Sequence, residues 1–324
     1  MGGVAITGGT GTFGRAFVAH LLRDPAVTRI AIISRDELKQ AEMAAHLGEH
    51  APLRFFLGDV RDRDRLTQAF YGCDTVVHAA ALKRVDAIAN NPSEVRRTNI
   101  EGSANVIQAA IAAGVAKVVM ISSDKACLPT NSYGVSKAQM EHEAIASNTY
   151  SVPRGTKIAV VRYGNVVGSR GSVVHLFRAA VAAGRPIPIT DPAMTRFWLT
   201  IDDAIGLVTH TLEIMRGGEL VIPVAPAARV VDLAEAIAPA HPTVVVGLRP
   251  GGEKLHEILL NDDEARRTVV TEHVFIVNPA VHPWCAEAPW EGDPLPPEYV
   301  YRSDLVGWRL SVEELRKIVE GVPA

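Results

Sequence analysis

The sequence contains few cysteines and no long apolar run. Its three cysteines, Cys73, Cys127 and Cys285, have neither the spacing of a metal site nor the density of a disulfide framework, and they suit a reducing compartment. No stretch approaches the about 18 consecutive apolar residues that a membrane span requires. The first residues also lack a charged and then apolar leader that ends in a small-residue cleavage site. We therefore expect a cytoplasmic protein with no metal ion and no membrane segment.

Blocks of one charge sign are absent as well. The formal net charge is −3, and the basic residues are scattered along the 324 positions. This pattern disfavours nucleic-acid binding, because such binding usually requires clustered lysine and arginine. The length fits roughly two domains, or one enlarged α/β domain, and suffices to bury a sizeable core.

A glycine-rich stretch follows the first apolar strand. Residues 3–6 are apolar, residues 7–14 read Thr-Gly-Gly-Thr-Gly-Thr-Phe-Gly, and a helical pattern comes next. Such a stretch provides a tight turn, a close backbone approach to a pyrophosphate, and a helix amino terminus with free N–H groups. Its place between strand and helix favours dinucleotide binding over an ordinary glycine-rich loop. The candidate cofactor residues here are Thr7, Gly8, Gly11, Thr12, Phe13 and Gly14.

The next strand, residues 29–33, ends in Ser34 and Arg35. An acidic residue at this place would accept a hydrogen bond from a free ribose 2′-hydroxyl, whereas serine and arginine suit a 2′-phosphate. The sequence therefore favours NADP over NAD. The alternative is that Arg35 only pairs with an acidic residue at the surface.

Two further strand ends carry candidate cofactor residues. Small residues would let the chain pass close under the cofactor, and Asp59 could accept from the adenine amino group. Lys83 could reach the crevice and contact cofactor or substrate, or could be a solvated loop lysine. The candidates at these strand ends are Asp59, Val60, Ala79, Ala80, Ala81 and Lys83.

Strand and helix patterns alternate along the first two thirds of the chain. This alternation predicts an α/β fold with a doubly wound parallel (Rossmann) sheet, whose final strand covers residues 219–222. We assign residues 1–168 and 198–226 to an NADP-binding domain. Residues 169–197 and 227–324, which are richer in proline, form a smaller substrate-binding lobe in this prediction.

Residues 121–137 concentrate chemically active side chains. Tyr133 and Lys137 are four residues apart, so on a helix they share one face, ~5–6 Å apart at their β-carbons. There a lysine ammonium would lower the phenol pKa from its usual value of about 10. Ser123 follows an apolar strand and faces the same crevice. Hydride transfer needs only these three residues, so the added Asp124 and Lys125 suggest that a further group leaves or is abstracted.

Three other stretches could bind the substrate. Asn165 follows a strand and is well placed for a phosphate or a sugar, and Thr195 and Arg196 lie among aromatic residues. Arg249 precedes two glycines and Glu253, and its guanidinium could bind a diphosphate in a fork. The alternative for the last stretch is a charged turn that opens a helix.

These motifs together resemble the extended short-chain dehydrogenase/reductase superfamily over nearly the whole chain. Within it, the likeness is greatest to inverting UDP-N-acetylglucosamine 4,6-dehydratases, through the pair Asp124-Lys125 and the stretch Met194-Thr-Arg-Phe-Trp198. The sequence departs from the usual pattern at an additional glycine in 250–253 and at Cys127-Leu128. The shared stretches are 7–14, 34–40, 78–83, 122–126, Tyr133 with Lys137, 162–166, 194–198 and 249–257.

The resemblance implies dehydration of a UDP-sugar to a 4-keto-6-deoxy sugar nucleotide with inversion at C5, in bacterial glycan or natural-product sugar synthesis. Tyr133, acidified by Lys137, would take the proton of the 4-hydroxyl. Lys125 would remove the C5 proton, and Asp124 would protonate the departing 6-hydroxyl. Cofactor would be regenerated in each cycle, and we also expect a homo-oligomer.

Two alternatives remain open. A sugar-nucleotide 4-epimerase or reductase would need Ser123, Tyr133 and Lys137, but no base at position 125. A non-catalytic NADP-binding sensor would keep the glycines and lose the tyrosine and lysine pair, which this sequence retains.

Overall fold

The computed structural model describes residues 2–169, 171–248, 251–280 and 290–322. Short loops join strands and helices along these ranges. The strands are β1 (Gly3–Thr7), β2 (Arg29–Ser34), β3 (Leu53–Leu57), β4 (Thr75–His78), β5 (Lys117–Ile121), β6 (Lys157–Val161), β7 (Asn165–Val166), β8 (Ile187–Ile189), β9 (Thr195–Leu199), β10 (Leu220–Pro223), β11 (Ala227–Arg229), β12 (Thr243–Val245), β13 (Ile258–Leu260), β14 (Thr268–Val270), β15 (Val274–Val277), β16 (Asp293–Pro294) and β17 (Tyr301–Arg302).

Helices follow most strands of the first half of the chain. The helices are α1 (Thr12–Leu21), α2 (Glu37–Leu47), α3 (Arg63–Phe70), α4 (Val85–Ile88), α5 (Pro92–Val95), α6 (Gly102–Ala112), α7 (Ser132–Ser151), α8 (Val173–Ala182), α9 (Ile201–Ile214), α10 (Val230–Ile237), α11 (Asp262–Ala265) and α12 (Val312–Glu320). A π-helical segment, Arg96–Glu101, joins α5 to α6, and a 3₁₀ turn covers Asp124–Ala126.

The large sheet has a parallel core in the order β3-β2-β1-β4-β5-β6-β10. Its central strands are almost entirely buried, as expected for valine and isoleucine runs that are covered by helices on both faces. This order is that of a doubly wound sheet, and it places the ligand crevice at the carboxyl ends of the strands, where β1 and β4 lead in opposite directions. The predicted Rossmann fold is confirmed.

The sheet continues beyond the strand that the sequence predicts as its last. β10 pairs with β15, which pairs with β14, which pairs with β16, and all three contacts are antiparallel. These additional strands have two to four residues in a proline-rich region, so they give little periodic signal. They come from the range that the sequence analysis assigns to the lobe, whose boundaries stay a prediction.

A second apolar cluster lies apart from the main core. It includes Phe177 of α8, Ile187 of β8, Trp198 of β9, Leu233 of α10 and Leu315 of α12. Small sheets formed by β7, β9 and β11 and by β8 and β12 accompany these helices. Across the ranges that the structure describes, none of the helices combines the length and apolar character needed to cross a membrane.

Candidate active site

The glycine-rich loop joins β1 to α1 at the carboxyl edge of the sheet. The Gly11 amide donates to the Gly8 carbonyl at 2.9 Å, and Gly8 has a φ of +68°. A β-carbon on Gly8 would lie 2.8 Å from the Ala80 nitrogen, so only glycine lets this loop pack against the loop after β4. Gly11 caps α1 without a side-chain hydrogen bond, which leaves the first amides of the helix for an anion. These features fit a dinucleotide.

The expected ribose end of the crevice is rich in charge. The Arg35 side chain is 54% exposed and its NH1 lies 3.8 Å from Oδ2 of Asp59. Both carboxylate oxygens of Asp59 accept from Arg61, at 3.0 and 2.7 Å. Burial opposes the charge on Asp59, but Arg61 outweighs it and lowers the pKa of this carboxyl. Arg35 is thus available to a ligand, whereas Asp59, predicted to meet the adenine, already has a partner that the sequence analysis missed.

Asn99 connects the loop after β4 to helix α7 through buried hydrogen bonds. Its Nδ2 donates to the Leu82 carbonyl at 2.9 Å and to Oγ of Ser136 at 3.0 Å, and its Oδ1 accepts from the Leu82 amide. Asn99 lies in the π-helical segment, a feature frequent at functional sites. The neighbouring Lys83 is exposed. The Asn99 hydrogen bonds fix the loop that carries Lys83 relative to Tyr133.

Helix α7 begins directly against the turn that carries Asp124 and Lys125. The Asn131 side chain caps the helix by accepting from the Gly134 amide at 2.9 Å. A β-carbon on Gly134 would clash with the Lys125 carbonyl, so glycine at this position lets the helix and the turn touch. This close packing places Tyr133, one residue earlier, beside Lys125.

Tyr133 and Lys137 lie in the first turns of α7, and both are buried. The structure does not show the expected lowering of the Tyr133 pKa by Lys137. Burial raises the pKa of Tyr133 to about 12, and the ammonium that opposes this rise is Lys125. Lys137 donates to the Ile121 carbonyl at 2.7 Å, and burial lowers the pKa of Lys137 to about 8. Lys125 is therefore the cation that acts on the phenol in this geometry.

Lys125 lies between two buried carboxylates. Its Nζ is 3.0 Å from Oδ1 of Asp124 and 3.4 Å from Oε1 of Glu257. Burial opposes a charged amine, but the two carboxylates outweigh it and raise the pKa of Lys125, so the predicted base is an ammonium here. Oδ1 of Asp124 also accepts from Ser123 at 2.8 Å, whereas Oδ2 has no hydrogen-bond partner in the described part of the chain. Such a buried acceptor suits a hydroxyl of a ligand.

Thr195 and Arg196, both predicted to bind substrate, use their polar atoms within the protein. Oγ1 of Thr195 and Oγ of Ser303 are 2.6 Å apart. Arg196 donates from NH1 to the Thr195 carbonyl at 2.7 Å and from NH2 to the Lys254 carbonyl at 3.0 Å. Glu253 lies 3.5 Å from the same guanidinium. These contacts favour a supporting role over direct substrate binding.

The remaining substrate candidates have different outcomes. Asn165 begins β7 and its Oδ1 is buried without a hydrogen-bond partner among the described residues, as a ligand acceptor would be. Arg249 lies outside the described residues, so its predicted diphosphate contact stays a prediction. The segment that follows it reaches the site, because Asn131 donates to the Gly252 carbonyl at 3.0 Å. The segment with the additional glycine therefore contacts Asn131, the residue that caps α7.

A buried ion network lies behind the catalytic turn. Arg162 is 2% exposed and donates to Glu141 at 2.6 Å and to Glu264 at 2.8 Å. Ser122 donates to Glu141 at 2.5 Å, and Sγ of Cys127 lies 3.8 Å from Glu264. Neither Arg162 nor Glu257 has a role that spacing alone predicts, although both lie in stretches shared with the resembled enzymes, 162–166 and 249–257.

The chain is similar to known proteins over most of its length. Residues 4–279 match a family described as polysaccharide biosynthesis proteins. A UDP-N-acetylglucosamine 4,6-dehydratase (inverting) from Campylobacter jejuni is 44% identical over 280 residues, 86% of this chain and 83% of that protein. A UDP-glucose 4-epimerase from Rickettsia typhi is 39% identical over 268 residues, 81% of this chain and 78% of that protein.

Among solved structures, the X-ray structure of Pen from Bacillus thuringiensis matches with a TM-score of 0.88 and 34% identity, over 98% of each chain. The family match covers residues 4–279, which include the glycine-rich loop and the catalytic turn, and the identities extend over most of the chain. The chain therefore belongs to the polysaccharide biosynthesis protein family, within the extended short-chain dehydrogenase/reductase superfamily.

Proposed function

We propose that the protein is an NADP-dependent 4,6-dehydratase that converts UDP-N-acetylglucosamine to a 4-keto-6-deoxy sugar nucleotide with inversion at C5. The observation that carries this proposal is the 3.0 Å contact between Lys125 and Asp124. A reaction that only moves hydride at C4 has no use for this pair. The name of the Campylobacter jejuni relative supports the substrate and the inversion.

The pair can provide an acid and a base without any change in total charge. Transfer of one proton along the hydrogen bond from Nζ of Lys125 to Oδ1 of Asp124 gives a neutral amine and a carboxylic acid. The amine can then accept the C5 proton, and the acid can protonate the 6-hydroxyl as it leaves. Lys125 can act as the base once this transfer has moved its proton to Asp124.

The proposal also gives roles to the other residues at the crevice. A bound nicotinamide dinucleotide would accept a hydride from the sugar and return it later. Tyr133 removes the proton of the 4-hydroxyl, helped by its hydrogen bond with Ser123 and by the nearby charge of Lys125. Asn165 offers an acceptor to the substrate, and Lys137 holds the end of β5 through the Ile121 carbonyl.

A 4-epimerase is the second candidate, because the Rickettsia typhi relative has that name and is nearly as similar. Ser123, Tyr133 and Lys137 would serve both reactions, so the candidates differ only in the use of Asp124 and Lys125. The predicted homo-oligomer and the two-part division of the chain have no bearing on this choice, and both stay predictions.

Incubation with UDP-N-acetylglucosamine in D₂O, followed by NMR of the product, tests the proposal directly. We expect deuterium at C5, loss of the 6-hydroxyl, and C5 proton couplings, in a parallel H₂O sample, of the inverted sugar. A product that differs only at C4 and carries no deuterium at C5 would instead establish the epimerase.

Arg35→Asp is expected to weaken NADP⁺ binding about 10- to 100-fold, while NAD⁺ binding stays the same or tightens. The reason is that a guanidinium forms charge-assisted hydrogen bonds to a 2′-phosphate, each worth about 1.5–3 kcal/mol. Fluorescence titration with both nucleotides measures the effect. Arg23→Asp, at an exposed arginine after α1, makes the same charge change and should leave both affinities unaltered. Unchanged NADP⁺ affinity in the Arg35 variant would refute the 2′-phosphate contact.

A further inference from the structure

Glu257 is a buried carboxylate that contacts Lys125 and has no role in the reaction as described so far. It is 2% exposed, and its Oε1 is the second carboxylate oxygen near Nζ of Lys125, at 3.4 Å. The first is Oδ1 of Asp124, at 3.0 Å. The Lys125 amine therefore lies between two carboxylates: Asp124, which can exchange a proton with it, and Glu257, which comes from the C-terminal part of the chain.

The backbone on both sides of Glu257 holds the carboxylate in place. The Glu257 amide donates to Oγ of Ser303 at 3.0 Å, and the Ser303 amide donates to the Glu257 carbonyl at 2.9 Å. Ile258, the next residue, begins β13, which pairs with β17. A group that must stabilise a charge forming during a reaction is most effective when it is fixed before the reaction begins.

Two other cations keep Glu257 ionised. Nζ of Lys254 is 3.6 Å from Oε2, and Nε of Arg196 is 3.8 Å from Oε1. Burial opposes the charge, yet Lys125, Arg196 and Lys254 together lower the pKa of Glu257. Lys254 also donates to the carbonyls of Asp124 and Cys127, so the segment that carries Glu257 is bound to the catalytic turn itself.

We propose that Glu257 is a positioning residue for the elimination step: it orients the amine of Lys125 and stabilises the ammonium that forms when Lys125 removes the C5 proton. In that step the C5–H bond breaks, its proton forms a new N–H bond on Nζ, and its electron pair enters the enolate of the 4-ketone. That pair then forms the C5=C6 double bond as the C6–O bond breaks, and the 6-hydroxyl takes the proton held by Asp124 and leaves as water. This inference rests on the proposed dehydratase activity.

The same carboxylate has no function in oxidation at C4. In that step the proton of the 4-hydroxyl goes to Tyr133, and the Lys125 ammonium that Glu257 stabilises forms only in the elimination. Glu257 should therefore affect the two half-reactions unequally. If Glu257 served only as a counter-ion for Arg196 and Lys254, its loss would lower stability and affect both half-reactions to the same extent.

Glu257→Gln separates these cases, because it keeps the shape of the side chain and removes its charge. We expect C5 deuterium incorporation and kcat to fall about 10- to 100-fold, with KM and single-turnover reduction of NADP⁺ within about threefold of the wild type. Both limbs of the kcat–pH profile should move to lower pH, because loss of a negative charge makes the Asp124–Lys125 pair release protons more readily. Glu257→Asp should recover part of the rate and should leave only a small shift of the profile to lower pH.

Glu219→Gln is the matched control. Glu219 is also 2% exposed, but it accepts from the backbone at Arg216 and Gly217 at the amino end of β10, away from the crevice. We expect a lower Tm with an unchanged ratio of C5 exchange to cofactor reduction. If Glu257→Gln does not fold, the pH profile of Glu257→Asp, compared with the wild type, decides the question, because a shorter carboxylate should shift both limbs slightly to lower pH.

Two outcomes would overturn the inference: C5 exchange within about threefold of the wild type in Glu257→Gln, or equal losses in C5 exchange and cofactor reduction. In Glu257→Asp, an unshifted profile would do the same. A failure of the proposed function looks different, since the wild type itself would then incorporate no deuterium at C5 and keep its 6-hydroxyl.

Discussion

Lys125→Arg is expected to lose about 10²–10⁴-fold of its dehydration turnover and still oxidise the sugar at C4. A positioned general base typically contributes a factor of this size, and a guanidinium does not give up its proton at accessible pH. Arginine keeps a positive charge beside Asp124 and Glu257, so the carboxylates are not left unpaired. Single-turnover mixing with substrate should show absorbance in the band of the reduced nicotinamide, while product formation is nearly absent.

Tyr133→Phe is the matched variant for the first step. It should abolish both the absorbance and the product, because the proton of the 4-hydroxyl then has no acceptor. Lys125→Met should lose at least as much dehydration as Lys125→Arg, and in addition it removes the cation beside the buried Asp124, whereas Glu257 keeps Lys254 and Arg196. Near wild-type dehydration in Lys125→Arg would mean that another residue removes the C5 proton, with Lys83 as the nearest candidate by motif.

Arg162→Met should lower the free energy of unfolding by about 3–5 kcal/mol, since removal of one member of a buried ion network leaves the remaining charges without compensation. Here the remaining charges are Glu141 and Glu264, both in direct contact with the guanidinium. Urea denaturation of the purified variant measures the effect. Arg229→Met removes an exposed ion pair with Asp232 and should cost less than about 1 kcal/mol.

The deficit of Arg162→Met should depend on pH in a defined direction. Burial opposes the charge of Glu264, but Arg162 outweighs it and lowers the pKa of this carboxyl below the value of the unfolded chain. The stabilisation by this contact is thus present above the ordinary carboxyl pKa of about 4.5 and is lost as the pH falls through the lowered folded value. The difference between variant and wild type should shrink on acidification below about pH 4.5, and a difference that stays constant from pH 5 to pH 3 would contradict this assignment.

The parts of the site that depend on local pattern could be predicted from the sequence. The glycine-rich loop lies between β1 and α1, and Tyr133 and Lys137 share the first turns of α7, because turn chemistry and helical spacing are short-range properties. The alternation of apolar runs and helices also predicts a doubly wound parallel sheet. The same reasoning fails for β14 and β15, whose few residues carry too little pattern.

The electrostatic parts of the site could not be predicted, because they depend on groups that are distant in sequence. Spacing alone pairs Lys137 with Tyr133, whereas in the folded chain Lys137 donates to the Ile121 carbonyl and the ammonium that acts on the phenol pKa is that of Lys125. Arg196 is a residue type that often binds ligands, yet its N–H groups donate to neighbouring carbonyls. Tertiary packing determines which charged groups contact each other.

The contact between Lys254 and the carbonyl of Asp124 spans 130 residues of sequence. Such distant contacts form late in folding, because the chain must first bear the entropy of closing a long loop. During synthesis, the glycine-rich loop and α7 emerge well before the segment that carries Lys254 and Glu257. A nascent chain can thus acquire its dinucleotide-binding half while the elimination machinery is still incomplete. Recovery of C5 exchange during refolding would then lag behind recovery of nucleotide binding. The length of this delay would measure how long the C-terminal segment takes to dock.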